Sequence, residues 1–283
     1  MNKPAKLREL LETRKSLLLP IAHDALTAKI IEKVGFEAFS IGGFGIAASH
    51  FGLPDIGLLT QGDFQPAIKN ILSATSLPAL VDGDTGYGNG ESVRRLVREY
   101  EALGAAAIFI EDQVLPKRCG HTGVKEIVAI EEMAAKIKAA ISAKQNPDLL
   151  IMARTDARSA LGTIEAAIER AKTYLQACAE AIFIEAPQTI EEIKKIPQEL
   201  PDTILLINMM ESGKTPICSQ KQLEDWGYKL IAWPISSLLA ATRAIEKTIA
   251  ELREKGTTEN LWLEMASFEE IKKLLNFDNL DNR

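Results

Sequence analysis

The sequence predicts a (β/α)8 barrel, and three observations carry the prediction. Short continuous apolar runs alternate eight times with stretches of helical length, which is the pattern of parallel strands buried on both faces. No G-x-G-x-x-G opens the first helix, which speaks against an open dinucleotide-binding sheet. The unusual polar residues come directly after the apolar runs: His23 and Asp24, Gly42 and Gly43, Asp82 and Asp84, Glu111, Arg154 and Asp156, Glu185, Asn208 and Ser236. In such a barrel the carboxyl ends of the strands carry the active site, so this one distribution supports fold and site together.

Residues 6–15 read as a short amphipathic helix with Leu7, Leu10 and Leu11 on one face. The run 17–22 is the first strand, and the helix 24–34 after it is closed by Gly35. Strands at 38–41 and 79–81 flank a helix containing 67–72, and a strand at 107–110 follows the helix 91–103, which stops at Gly104. The remaining pairs place helix 130–143 before strand 149–153, 164–177 before 181–184, 190–196 before 203–207, and 221–226 before 230–233. Helix 240–254 completes the eighth unit. Beyond Gly256 a final helix over 259–275 carries Leu261, Leu263, Met265, Phe268, Ile271, Leu274 and Leu275. That is more apolar surface than a closed barrel needs, so a partner subunit is expected to cover it. No linker or low-complexity segment divides the chain, which predicts one barrel domain over 1–283 with 257–283 as a helical extension.

With 283 residues, 46% of them hydrophobic and 25% charged, the chain can build one large core. A net charge of −6, a pI near 5.4 and the lack of any basic run leave no electrostatic footprint for nucleic acid or an anionic membrane. No apolar run approaches the roughly 20 residues that span a bilayer, and residues 1–7 lack the apolar stretch of a signal peptide, so a cytoplasmic location is expected. Cys119, Cys178 and Cys218 are an odd number in a large chain and fit reduced thiols.

The chemistry concentrates between Leu80 and His121. Side chains alternate on an extended chain, so Asp82 and Asp84 are expected to point the same way and to meet Glu111 at the end of the neighbouring strand. Three carboxylates in one pocket repel unless a cation lies between them. Oxygen ligands without His or Cys favour a hard ion, Mg2+ or Mn2+. Downstream, Cys119 lies between Arg118 and His121; neighbouring positive charge lowers a thiol pKa toward neutrality and suits it to proton donation.

Three segments, Asp82-Gly83-Asp84-Thr85-Gly86-Tyr87-Gly88, Ile110-Glu111-Asp112-Gln113 and Lys117-Arg118-Cys119-Gly120-His121, resemble the isocitrate lyase/phosphoenolpyruvate mutase superfamily. Within it the likeness is closest to the short lyases that act on 2-methylisocitrate and 2,3-dimethylmalate. Segments around Asp55, Arg154, Glu185 and Asn208 resemble family segments in the same order. The resemblance implies Mg2+-dependent cleavage of a C–C bond in a 2-hydroxy di- or tricarboxylate, giving a 2-oxo acid such as pyruvate and a second carboxylic acid. It implies that Asp82, Asp84 and Glu111 hold the metal with Asp55 in support, and that Arg154 binds a substrate carboxylate. Glu185 and Asn208 are implied to bind the distal part of the substrate, with Gly42, Gly43 and Phe44 beside it. Lys117, Cys119, Gly120 and His121 would belong to a loop that closes over the substrate, and Lys117, Cys119, His121, Arg154 and Glu185 form the implied catalytic set. A homotetramer built as a dimer of dimers, with the last helix exchanged between subunits, is implied as well. The chain departs from the pattern at Gly42, where these lyases place Ser or Thr, and at Phe44, which adds bulk.

The residue that removes the substrate hydroxyl proton stays open between Glu185 and a metal-bound water. Two other readings compete: a phosphonomutase of the same fold, whose members place Asn where Cys119 stands, and a barrel that binds metal and carboxylates without turnover. Asp82 and Asp84 could instead cap a helix, and Arg154 could be a barrel-end salt bridge to Asp84 or Asp156. Cys178 reads as core packing and Cys218 as incidental in a loop; His23 and His50 read as structural hydrogen-bonders, and Trp226, Trp233 and Trp262 as packing residues.

Overall fold

The computed structural model describes residues 2–120 and 125–277. Eight parallel strands form the barrel: β1 Leu17–Pro20, β2 Phe39–Ile41, β3 Ala79–Asp82, β4 Ala107–Glu111, β5 Leu150–Thr155, β6 Ala181–Ile184, β7 Ile204–Asn208 and β8 Leu230–Trp233. Each pairs with its sequence neighbour from β2 to β8, and β8 pairs with β1. The ring is completed at the remaining edge by a bridge between Ile21 and Ser40 and by the Ala22 amide, 3.0 Å from the Ser40 carbonyl. The eight-unit prediction and the (β/α)8 architecture therefore hold.

The barrel interior is apolar at its lower end. Leu17, Leu19, Leu80, Phe109, Met152, Phe183, Leu206 and Leu230 point inward and cluster with Leu7, Leu10 and Leu11 of helix α1, Lys3–Thr13, which plugs the bottom. Phe109 and Phe183 meet edge to face with centroids 5.9 Å apart. A second cluster fills the space between the strands and the outer helices. Those helices are α2 Ala25–Val34, α4 Gln61–Ser73, α5 Gly90–Ala102, α6 Ile130–Ala143, α8 Ile164–Gln176, α9 Ile190–Glu199, α10 Gln220–Trp226 and α11 Ser236–Lys255. Local chemistry sets many of their starts: Asp24, Thr60, Asn89, Thr163, Thr189 and Ser219 each accept a first-turn amide on the side chain.

Short elements absent from the sequence reading are α3, Gly43–Ile46, running into a π-turn at Ala47–Phe51, and α7, Ala157–Leu161. α3 follows β2 and α7 follows β5, both on the upper rim. The single helix expected over 259–275 is instead a 3-10 turn at Glu259–Leu261 and a separate α12, Phe268–Leu274. Ser267 and Glu270 form a reciprocal cap, so a new helix starts there rather than continuing. The surplus apolar surface also starts earlier than expected, since α11 buries none of its residues and exposes Leu239, Ile245, Ile249 and Leu252.

The cysteines exchange roles relative to expectation. Cys178 is exposed, at positive φ in the turn after α8, whereas Cys218 is buried with its amide on the Met209 sulfur. Trp226 and Trp233 pack on the core, but Trp262 is 65% exposed. Among the described residues no helix is long and apolar enough to cross a membrane.

Candidate active site

Gly42, Gly43, Asp82, Arg154, Glu185 and Asn208 open into one cavity of about 220 Å3 at the carboxyl ends of the strands, whereas His23, Asp24, Asp84, Glu111, Asp156 and Ser236 are not among its lining residues. Asp82, Arg154, Phe183, Glu185, Asn208 and Ala232 come from the strands or their ends; Gly42, Gly43 and Phe44 come from the bend after β2; Asp55, Lys117, Cys119 and Gly120 come from two loops that cover it.

The acids do not meet as a simple alternation would have them. Asp84 has φ 48°, a left-handed turn, so period-two geometry ends at Asp82. The turn instead folds Asp84 back, with its amide donating to Asp82 Oδ1 at 2.9 Å, and the Gly43 amide donates to Asp82 Oδ2 at 3.1 Å. Burial, followed by the neighbouring Asp84, pushes the Asp82 carboxyl up to about 6, against the pull of Lys117 and Arg154. Glu111 joins from β4 through its amide to the Asp84 carbonyl at 2.8 Å. Among the described residues no three acids close on one point as a metal-holding cluster. The reason is visible: Lys117 Nζ stands 2.6 Å from both Asp84 Oδ1 and Asp55 Oδ1, and Arg154 Nη1 stands 3.1 Å from Glu111 Oε2. The expected repulsion is thus balanced by an ammonium and a guanidinium, and it is no longer by itself an argument for a metal ion.

Arg154 is the electrostatic centre. Asp156 clasps it at 3.0 and 3.1 Å, Glu185 Oε2 lies at 3.4 Å, and its guanidinium sits 5.3 Å from the Phe183 ring centre. Burial works against its charge, but Asp156, Glu111 and Glu185 outweigh burial and hold its pKa well above the usual range. Lys117 behaves likewise: burial opposes the ammonium, and Asp84, Glu111, Asp82 and Asp55 more than offset it. Burial drives the Glu111 carboxyl well up, with Arg154 pulling against it. Its Oε1 is buried and has no hydrogen-bond partner among the described residues. Glu185 is oriented by the Ala186 amide on Oε1 at 3.0 Å and by Asn208 Nδ2 on Oε2 at 3.3 Å.

The loop bearing Cys119 is tied at both shoulders. Gln113 clasps Arg118 by accepting its amide at 2.9 Å and donating to its carbonyl at 2.8 Å, and the Cys119 amide donates to the Asp55 carbonyl at 3.2 Å. Gly120 rests on the site floor: a Cβ there would lie 2.6 Å from Glu185 Cγ and 2.7 Å from Arg154 Nη2. Cys119 lines the cavity and is partly exposed. His121 lies outside the described residues. His23 and His50 take the structural roles expected of them, toward Ser237 Oγ at 3.3 Å and the His23 carbonyl at 3.2 Å.

Sequence reasoning missed two supports. Asp112, beside Glu111, is buried and accepts from Thr155 Oγ1 and Tyr174 Oη at 2.7 Å each, from the Asp156 amide at 2.9 Å, and from Arg170 at 3.1 Å. Its adjacency to a site acid was the available signal. Lys125, a lone lysine in a polar stretch, gave none; its buried ammonium pairs with Asp156 Oδ1 at 2.9 Å and donates to the Gly120 carbonyl.

Comparison with known proteins places this architecture. The family model described as phosphoenolpyruvate phosphomutase matches residues 7–253. The chain is 45% identical to the 2,3-dimethylmalate lyase of Eubacterium barkeri, over 99% of this chain and 96% of that one. To the 2-methylisocitrate lyase of Aeropyrum pernix it is 39% identical, over 98% and 88%. Among solved structures, a 2,3-dimethylmalate lyase superposes with a TM-score of 0.92 at 32% identity, over 100% and 94% of the two chains. A phosphonopyruvate hydrolase in complex with oxalate and Mg2+ superposes at 0.90 with 29% identity, over 100% and 98%. With a matching family model over most of its length and relatives well above the level where fold alone is shared, this chain belongs to the phosphoenolpyruvate mutase/isocitrate lyase superfamily.

Proposed function

We propose that the protein is a Mg2+-dependent carbon–carbon lyase that cleaves a 2-hydroxy di- or tricarboxylate, of 2-alkylmalate or 2-methylisocitrate type, to a 2-oxo acid such as pyruvate and a second carboxylic acid. One observation carries the reading: a charged, immobilised Arg154 faces a cavity roofed by a cysteine loop, with the acids on one flank. The names of the lyase relatives point the same way.

The residues fit a hard divalent ion. Glu111 Oε1 is a buried oxygen without a hydrogen-bond partner among the described residues, Asp82 and Asp84 add carboxylates at the end of the neighbouring strand β3, and an all-oxygen donor set suits Mg2+ or Mn2+. Asp82, Asp84 and Glu111 would hold the ion, with Asp55 in support, and when bound it supplies Lewis-acid polarisation of the substrate's C2 oxygen.

The chain's own groups account for the rest. Arg154 forks a substrate carboxylate, and its three acidic neighbours keep it from swinging away. Glu185 and Asn208 address the distal part, and Gly42, Gly43 and Phe44 form the opposite wall. A base removes the 2-hydroxyl proton, the C2–O bond becomes a carbonyl, and the C2–C3 bond breaks with its electron pair left on C3. The Cys119 thiol delivers a proton to that carbon. Lys117 adds positive charge on the same side. Glu185, 3.4 Å from Arg154, is our candidate for that base.

The test is to incubate the protein with Mg2+ and a panel of 2-alkylmalates, 2-methylisocitrate and oxaloacetate, coupling pyruvate to lactate dehydrogenase. A separate phosphorus NMR arm follows phosphonopyruvate for mutase chemistry. Expected is 2-oxo acid formation that Cys119→Ser abolishes and Cys178→Ser does not. No cleavage of any acid, or cleavage indifferent to Cys119, overturns the proposal. We further propose a homotetramer, supported by the exposed apolar rows of α11 and by Trp262, Leu263 and Phe268; light scattering tests it.

A further inference from the structure

We infer that Lys125 is the latch that holds the Cys119–Gly120 turn down on the site floor. It is a positioning residue, acting through the loop backbone and through Asp156. Its ammonium is buried and has one foot on each side: it donates to the Gly120 carbonyl in the loop, and it pairs with Asp156 Oδ1, 2.9 Å away at the end of β5. Both side chains of that pair are fully buried. Asp156 is itself immobile, because its amide is held by Asp112 and its carboxylate clasps Arg154. The turn is therefore fastened to the same carboxylate that orients the substrate-facing guanidinium.

Physical chemistry favours the closed position. A charge-assisted hydrogen bond in a water-poor setting is stronger than its solvated counterpart, and lifting the turn would strip the buried ammonium of its carbonyl. Closure leaves no slack beneath, since the Gly120 backbone already lies too near Glu185 and Arg154 to admit a Cβ. Lys125 also pairs with the same Asp156 carboxylate that clasps Arg154, so the turn and the guanidinium share one anchor.

The inference deepens the lyase reading, since it fixes where the proton donor stands, but its test reads the thiol and needs no turnover. In a Cys178→Ser background, which removes the exposed thiol, iodoacetamide labelling of Cys119 is followed by peptide mass spectrometry, with buried Cys218 as an internal monitor of global opening. Lys125→Met is expected to speed Cys119 labelling by about tenfold or more with the Cys218 rate unchanged. Lys125→Gln keeps a donor for the Gly120 carbonyl without the charge and is expected to fall between; it decides the matter if the methionine variant does not fold. A parental Cys119 rate in the folded variants overturns the latch. So does a parallel rise at both cysteines, which a merely structural lysine would produce. A failed substrate panel would leave the labelling result intact, and unchanged labelling would leave the lyase reading intact.

Discussion

Replacing Gly120 by alanine probes whether the turn must touch the site floor. The built Cβ lies 2.6 Å from Glu185 Cγ and Cδ and 2.7 Å from Arg154 Nη2, whereas ordinary contact begins at 3.4 Å, a shortfall of 3.4 − 2.6 = 0.8 Å. Neither neighbour can easily give way: Arg154 is clasped by Asp156, and Glu185 is held by Asn208 and the Ala186 amide. Gly120 does not sit at positive φ, so the contact, not backbone strain, is what the substitution tests. The overlap is relieved by raising the turn, at about 1–3 kcal/mol for an overpacked site. Because only the closed state bears that cost, it emerges as a loss of roughly fivefold to 150-fold in kcat/KM, with the melting temperature within about 2 °C of the parent. The coupled pyruvate assay and a thermal melt measure the two quantities. A kcat/KM within twofold of the parent would refute the reasoning, and a large fall in melting temperature would show that the overlap is resolved in the core.

Three further outcomes are expected. Asp112→Asn turns an amide donor toward groups that now donate to the carboxylate, from Thr155, Tyr174, Arg170 and the Asp156 amide, and should lower stability by about 3 kcal/mol in denaturant titration. Gly42→Ser should fold as the parent does, because a Cβ there meets only Ile21 side-chain carbons at 3.5 and 3.9 Å; its added hydroxyl at the cavity wall should lower KM for a hydroxy acid by about fivefold, read by steady-state kinetics. His23 should make the fold acid-sensitive. Burial, aided by His50 and opposed by Asp24, lowers its pKa below the usual 6.5. The unfolded chain therefore binds this proton first as pH falls, so the contribution is whole above about pH 6.5 and is lost as pH drops through the folded value. Denaturation midpoints of His23→Gln between pH 7 and 5 should slope less steeply than those of the parent.

Much of this molecule is legible in one dimension because its signals are local. Apolar runs such as 107–110 and 181–184 can only be doubly buried strands, and the recurrence of helix-length stretches between them dictates parallel pairing. The rim residues Asp82, Glu111, Arg154, Glu185 and Asn208 follow from position alone, since a strand end in a closed barrel has one face to open onto. The last helix was misread because apolar spacing was followed past Ser267, whose capping of Glu270 restarts the chain.

Other features depended on partners distant in sequence. Nothing near Lys117 in the chain predicts that its ammonium lies between Asp55 and Asp84, and nothing near Lys125 predicts that it fastens Gly120 to Asp156. Cys178 and Cys218 traded exposure because a helix end and a loop were folded against different neighbours than their local pattern implied. Periodicity and strand-end position thus determine the barrel and the identity of its rim, since these depend on backbone sterics and apolar burial within a few residues. Which charges neutralise which, and where the cysteine turn rests, is decided only in three dimensions, because Coulomb attraction acts through space and takes no account of sequence separation.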